Sequence, residues 1–447
     1  MRPRLSRYPL PWPIDPERAA AVLLGDSARD AFWLDSGPTG RHYLGQGVPI
    51  AFDGPVLPTL RRELAVLATA GVEGARPLGL IGWLGYEAGH ETVGVPEAAA
   101  APPPAAFLRV DRALVVDAES GAAELVACGA WRGELLAWRE RAEAVLAPTV
   151  GAPPLAPPAA PRPGRARWLD TDDEYRASIR ACLDAIREGE AYQLCLTTRV
   201  EVPGCFDDLD VYRRLRSASP SHHGGLLRIG GRSLLSSSPE RFLDITSDGR
   251  VTSSPIKGTR PRSGEPAVDA RLADELRTNE KERAENLMIV DLVRNDLSRV
   301  AELGTVEVTR LLEVESYPPV HQLVSAVTAR MRPGLTAVDA IAAAFPAGSM
   351  TGAPKRRAMQ LLAELEGRPR GVYAGAFGWF GAGGAAELAM VIRSIVLEAD
   401  LASVGTGGGI TAGSEPDAEL AEARLKAAAL LAALGVDDAE HAHPAPG

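Results

Sequence analysis

A single lysine, Lys257, sits in SSPIKGTRPR (253–262), a stretch whose prolines, glycine and hydroxyl side chains otherwise describe turns. The chain has 48 Lys plus Arg, of which only Lys257, Lys281, Lys355 and Lys426 are lysines. Arginine stays protonated, whereas lysine can lose its proton and act as a nucleophile or base. A lysine kept in an arginine-rich chain is either a survivor of compositional bias or a group whose chemistry guanidinium cannot supply. Two acidic runs raise a second question. NEKERAENLMIVDLVRND places Glu282 and Glu285 three apart, and EPDAELAEARLKA does the same with Glu419 and Glu422. On a helix, residues at that spacing share a face. Such faces are either solvated or, brought together, a set of four carboxylates that repel unless a cation lies between them. A hard ion such as Mg2+ fits the second case, with water and an anionic substrate completing its shell.

Other motifs carry less. GSMTGAPKRRA (348–358) falls short of a P-loop, because Ala353 and Pro354 separate Gly352 from Lys355 and Arg follows. Pro354 suits a helix start, which would leave N–H groups near 352–356 free for an anion. GTGGGIT (405–411) reads as a tight turn allowing close backbone approach. Cys195, within QLCL, reads as a buried strand position.

The elements that must position these residues follow from periodicity and punctuation. A chain of 447 residues suits two or three domains. The Pro/Ala-rich stretch 147–167 divides an N-terminal region, 1–146, from a C-terminal domain, 168–435, and leaves a tail, 436–447. The N-terminal region predicts strands at FWLDSG and LGLIGWLGYEAGH, a hairpin over 113–128 and a helix over 132–146. The C-terminal domain opens with a helix over 171–190, capped by Thr171 and Glu174. A strand at AYQLCLTTRVEV and a strand series through 224–260 follow. Then come one long helix over 267–297, three strands between 371 and 411, and a last helix from near Pro416. Blocks of strands and helices without βα alternation predict an α+β fold. A net charge of −10 argues against a nucleic-acid binder, and no apolar run is long enough to span a membrane. No signal peptide is read at the N-terminus and the four cysteines form no CxxC pair, so a cytoplasmic chain with free thiols is expected.

SSSPERFL, SSPIKGTRPR, KERAENLMIVDLVRND, PPVHQLVS, GSMTGAPK, VYAGAFGWF, VIRS and GTGGGIT with PDAELAEARLKA occur in that order. Together they closely resemble the chorismate-utilising enzymes, which include anthranilate, aminodeoxychorismate, isochorismate and salicylate synthases. The resemblance implies sheets layered with helices around one deep site for Mg2+ and chorismate. It implies Glu285 and Glu422 as direct metal ligands, with Glu282 and Glu419 behind them. Glu240 matches the acid that protonates the departing 4-hydroxyl. Thr259, Gly258, Arg393, Gly408 and Gly409 match positions holding the substrate's carboxylates and ring, and His321 a histidine beside the ring. Lys426, one turn beyond Glu422, would face the same cavity.

Two positions separate the branches. Isochorismate-type enzymes have a water-activating lysine where this chain has Gln193, which cannot serve as that base. Anthranilate synthases carry PIAGT where this chain has PIKGT, as aminodeoxychorismate synthases do. That likeness implies that Lys257 attacks C2 of chorismate and that ammonia then adds at C4, in 4-aminobenzoate and folate synthesis. Ammonia is expected from a separate glutamine amidotransferase subunit, since no Cys-His-Glu glutaminase site is read in the chain. The tryptophan-feedback motif of anthranilate synthases has SASPSHHGG (217–225) in its place, which argues against inhibition of that kind. Anthranilate synthase component I remains the neighbouring alternative, and a non-catalytic chorismate-binding regulatory subunit the alternative from another class.

Overall fold

Thr171 accepts a hydrogen bond from the Glu174 N–H, and Glu174 reaches back to the Thr171 N–H, so the helix Asp172–Arg187 starts where the capping signal stood. Asn279 has the opposite effect on the expected long helix. Its backbone is extended, it ends the helix Pro266–Thr278, and its side chain accepts from the Glu282 N–H to start the helix Glu280–Ser298. One expected helix is therefore two, because an Asn cap competes well with helix continuation. The three strands expected between 371 and 411 are four: Ala376–Gly381, Ala386–Met390, Ser394–Glu398 and Leu401–Ile410. The GTGGGIT glycines all lie inside the last of these, not in a tight turn.

The computed structural model describes residues 5–25, 29–68, 76–95, 103–317 and 320–436. The tail beyond Val436, with His441 and His443, most of the Pro/Ala patch at 96–105, and Pro318 and Pro319 of PPVHQLVS lie outside them. The described residues form an α+β fold around two antiparallel sheets, of 12 and 10 strands. The larger runs from Leu5–Pro9 through the hairpin Arg112–Asp117 and Ala123–Cys128 to Ala31–Asp35. It continues through His223–Ile229 and Arg232–Ser238 to Leu401–Ile410 and Gln193–Pro203. The smaller begins at Ile256–Pro261 and Val320–Arg330 and reaches Ala376–Gly381, Gly79–Leu84 and Ala105–Val110. Strands from before and after the Pro/Ala stretch thus pair directly in both sheets, as in Leu226 opposite Trp33 and Phe377 opposite Trp83.

The stretch itself is a mostly exposed strap on the helix Asp208–Ala218. Arg213 and Arg214 donate to the carbonyls of Ala156, Pro158 and Ala159, and Asp210 accepts the Ala159 N–H. Buried Phe, Leu, Ile and Val side chains fill the layers between sheets and helices, the main favourable term holding them together. No helix among the described residues is long and apolar enough to cross a membrane.

Candidate active site

A cavity of about 610 Å³ lies where the strand Ile256–Pro261, the helix Glu280–Ser298, the strand Leu401–Ile410 and the helix Pro416–Ala433 meet. Lys257, Gly258, Thr259, Glu240, Arg393, Gly408, Gly409, Lys426 and all four glutamates of the two acidic helices line it. The helix spacing did bring the pairs face to face. Lys257 Nζ is 3.6 Å from Glu285 Oε2. Lys281 lies 3.1 Å from Glu419 and 4.0 Å from Glu285, and Lys426 is 2.7 Å from Glu422. Arg260 approaches Glu282 at 3.6 Å. Three of the four lysines of the chain therefore face this one acidic cavity. The fourth, Lys355, is buried and bonded to Asp296 and the Ala344 carbonyl (both 2.7 Å), which gives it a structural task. It does not attend an anion at 352–356.

Burial pushes the Glu240 carboxyl up to about 7, against the opposing pull of Lys257, the Ser349 hydroxyl (3.1 Å) and the Ile256 N–H. Burial also acts to strip the proton from Lys257, but the surrounding charges, Glu285 foremost, outweigh it and hold the amine above its ordinary value. Glu285 is raised by burial despite Lys257 and Lys281. Burial raises Glu422 too, but Lys426 and the other two cavity lysines outweigh it and hold that carboxyl low.

Backbone geometry makes room for these groups. Gly258 has φ of 76°, and a Cβ there would meet Leu276 at 2.7 Å and the Glu282 carboxyl at 3.0 Å. At Gly409 a Cβ would come within 2.5 Å of Gln193 Nε2 and 3.4 Å of Lys257 Nζ. Gln193 is buried just behind that glycine, and both of its amide atoms lack a hydrogen-bond partner. Its side chain lies behind the cavity wall and does not line the cavity itself. Arg393 adopts φ of 51°, and among the described residues no carboxylate pairs with it. Burial lowers the basicity of its guanidinium, and its Nη1 donates to the Lys426 carbonyl at a long 3.5 Å.

His321 is a correction. Its Nε2 lies 2.9 Å from Asp269 and its Nδ1 2.7 Å from the Ser316 hydroxyl, and it does not line the cavity. Side chains alternate along the strand Val320–Arg330, so its neighbour Gln322 faces the cavity instead. Ser349, Tyr373 and Lys281 also line the cavity and had no role assigned from the sequence. Lys281 was visible as one of four rare lysines, Ser349 only as part of GSMTGAP. Trp379 and His222 border a separate cavity of about 60 Å³ with Leu34 and Ser36, away from the acidic one.

The donor set is hard oxygen from two facing helices, the kind that holds Mg2+ with help from water and substrate. Among the described residues no three ligating side chains already converge on one point. Lys281 and Lys426 supply the countercharge, and both are long and partly exposed. A hard cation would take the place of these two ammonium groups as countercharge, and four carboxylate side chains are the donors that suit one.

A family model described as chorismate binding enzyme matches residues 29–432. The chain is 41% identical to an aminodeoxychorismate synthase of Streptomyces pristinaespiralis, over 94% of this chain and 64% of that one. It is 38% identical to anthranilate synthase component 1 of Streptomyces coelicolor, over 94% of this chain and 86% of that one. It spans about half of a second aminodeoxychorismate synthase, from Streptomyces griseus (54%, at 44% identity). Anthranilate synthase component I of Streptococcus pneumoniae superposes with a TM-score of 0.73 at 29% identity, over 96% of this chain and 92% of that one. The menaquinone-specific isochorismate synthase of Escherichia coli superposes at 0.74 and 19% identity, over 97% and 95%, a likeness of fold. Because the family model spans residues 29–432, most of its length, the chain belongs to the chorismate binding enzyme family.

Proposed function

We propose that this chain aminates chorismate at C4, yielding 4-amino-4-deoxychorismate. The observation that carries the proposal is Lys257, whose amine lies in the cavity between Glu285 and the high-pKa acid Glu240. The Lys257 amine forms a bond to C2 of the ring while the two ring double bonds shift and the C4–O bond breaks. Glu240 gives its proton to the departing hydroxyl, which leaves as water. Ammonia then bonds to C4, the double bonds shift back, and the C2–N bond breaks to return the lysine amine. The step needs a group that is neutral, nucleophilic and displaceable, which excludes arginine. Neutral Lys257 in turn needs the surrounding carboxylate charge to be compensated.

Mg2+ held by Glu285 and Glu422, with Glu282 and Glu419 behind, would supply that compensation and anchor a substrate carboxylate. Arg393 binds an anionic group of the substrate, and Gly408 and Gly409 let the ring approach the strand. The glutamine amidotransferase is the expected ammonia source, and 4-aminobenzoate the expected fate of the product. The similarity to aminodeoxychorismate synthases supports this choice of branch. The near full-length similarity to anthranilate synthase component 1 favours a second reading, amination at C2 followed by loss of pyruvate.

Chorismate, Mg2+ and an ammonium salt given to the purified protein separate the two. 4-Amino-4-deoxychorismate is the expected product, together with a chorismate-derived adduct on Lys257 in quenched samples read by mass spectrometry. Anthranilate and pyruvate as main products would sink the proposal.

A further inference from the structure

Arg370 is buried, at 5% exposure, in a place where a charge is costly. It donates Nε and Nη2 to Glu366 (2.8 and 2.7 Å), Nη1 to the Met350 carbonyl (2.6 Å) and Nη2 to the Cys195 carbonyl (2.7 Å). Its guanidinium lies 4.3 Å over the Tyr86 ring. Glu366 also accepts from the N–H and hydroxyl of Thr197, both at 2.9 Å. Glu87, from the N-terminal GYEAGH segment, accepts the N–H groups of Arg370 and Gly371 at 2.8 and 3.0 Å. With its N–H groups committed to protein acceptors, Arg370 has no fork left for a substrate carboxylate.

A buried ion pair is a weak source of stability, since apolar side chains of similar volume often do as well. What a guanidinium can do and an apolar side chain cannot is fix two carbonyls from separate segments. Both carbonyls belong to residues that line the acidic cavity, Cys195 and Met350. Met350 directly follows Ser349, whose hydroxyl donates to Glu240. We propose that Arg370 is a positioning residue for the amination step: by holding the Cys195 and Met350 carbonyls it sets the turn that aims Ser349 at Glu240. The proposal rests on the acid role of Glu240 given above. Glu240 also faces Lys257 and the Ile256 N–H, and shares a small cavity with Arg241 and Asp296.

Arg370→Lys keeps the charge and loses the fork, so one ammonium cannot hold Glu366 and both carbonyls. In the full-length protein, kcat should fall about 10- to 100-fold, the cost of a misplacement near an ångström, with the chorismate KM little changed. The alkaline limb of kcat/KM should move to higher pH, because the Ser349 hydrogen bond favours the Glu240 carboxylate. Ser349→Ala should move the limb the same way, and the double variant no further. A limb that stays in place in Arg370→Lys, or shifts that add in the double variant, overturns the proposal. If Arg370→Lys does not fold, Glu366→Gln, which keeps the shape and one acceptor oxygen, is read by the same limb. Wild-type protein that makes no 4-amino-4-deoxychorismate overturns it differently, by removing the acid role, so the two failures are told apart.

Discussion

Two clusters of buried charge lie back to back, with Cys195 and Met350 as the wall between them. In the Arg370–Glu366 cluster the guanidinium meets Glu366 and two carbonyls at 2.6 to 2.8 Å, although the buried Tyr86 hydroxyl beside it has no partner. In the acidic cavity Lys257 is 3.6 Å from its nearest carboxylate, and behind Gly409 in its wall both Gln193 amide atoms are unpartnered. The first arrangement pairs its charges within the protein and ties two backbone carbonyls to one side chain. The second is under-paired, which keeps its groups available to substrate and metal. Glutamates paired with basic side chains thus serve two purposes, separated by how closely each group is paired.

The sharpest way to break this contrast is at Lys257. Lys257→Arg should lower turnover by about 10²- to 10⁴-fold, the usual worth of an acid–base or nucleophilic contributor, while chorismate still binds. Retained turnover would show that the amine need not be neutral. On the paired side, Glu366→Ala should destabilise the fold by about 3–5 kcal/mol, because it strands a buried guanidinium. Urea unfolding measures this, and a loss below about 1 kcal/mol, the scale of an exposed pair, would erase the distinction between the clusters. Glu419→Gln should weaken Mg2+ about 10- to 100-fold in a metal titration of activity, as removal of an outer support does. Smallest is the pH effect. Glu240 titrates at about 7, above the ordinary carboxylic value, so its proton is present below that pH and lost above it. kcat/KM should therefore fall as pH rises through about 7, and a flat profile from pH 6 to 8 would remove Glu240 from the acid role.

Much of the site was legible because its chemistry is local in sequence. Helical spacing put Glu282 with Glu285 and Glu419 with Glu422 on shared faces, the family resemblance chose a cation site over solvated faces, and Lys257 stood out by composition. What stayed hidden depends on contacts between distant segments. Arg370 is one arginine among many until its fork is seen spanning Glu366, Cys195 and Met350. His321 lies off the cavity wall and its neighbour Gln322 on it, since on a strand one residue reverses the face. Helix starts were read well where a capping box announced them, as at Thr171. The break at Asn279 was missed because the charged pattern continues across it and only the cap geometry ends the first helix. The glycines of GTGGGIT read as a turn because their use is lateral: Gly405 lies under the Tyr373 ring and Gly409 beside Gln193, neighbours far away in the chain.

The pairing of early and late strands has a consequence for chain connectivity. Residues 147–167 join two stretches of sequence, but the ladders Ala31–Asp35 with His223–Ile229 and Gly79–Leu84 with Ala376–Gly381 do not depend on that join. A protease that nicks the exposed strap should yield two fragments on a denaturing gel and a single species on a sizing column. Hydrogen bonds between strands, not the covalent join, would then hold the two halves together.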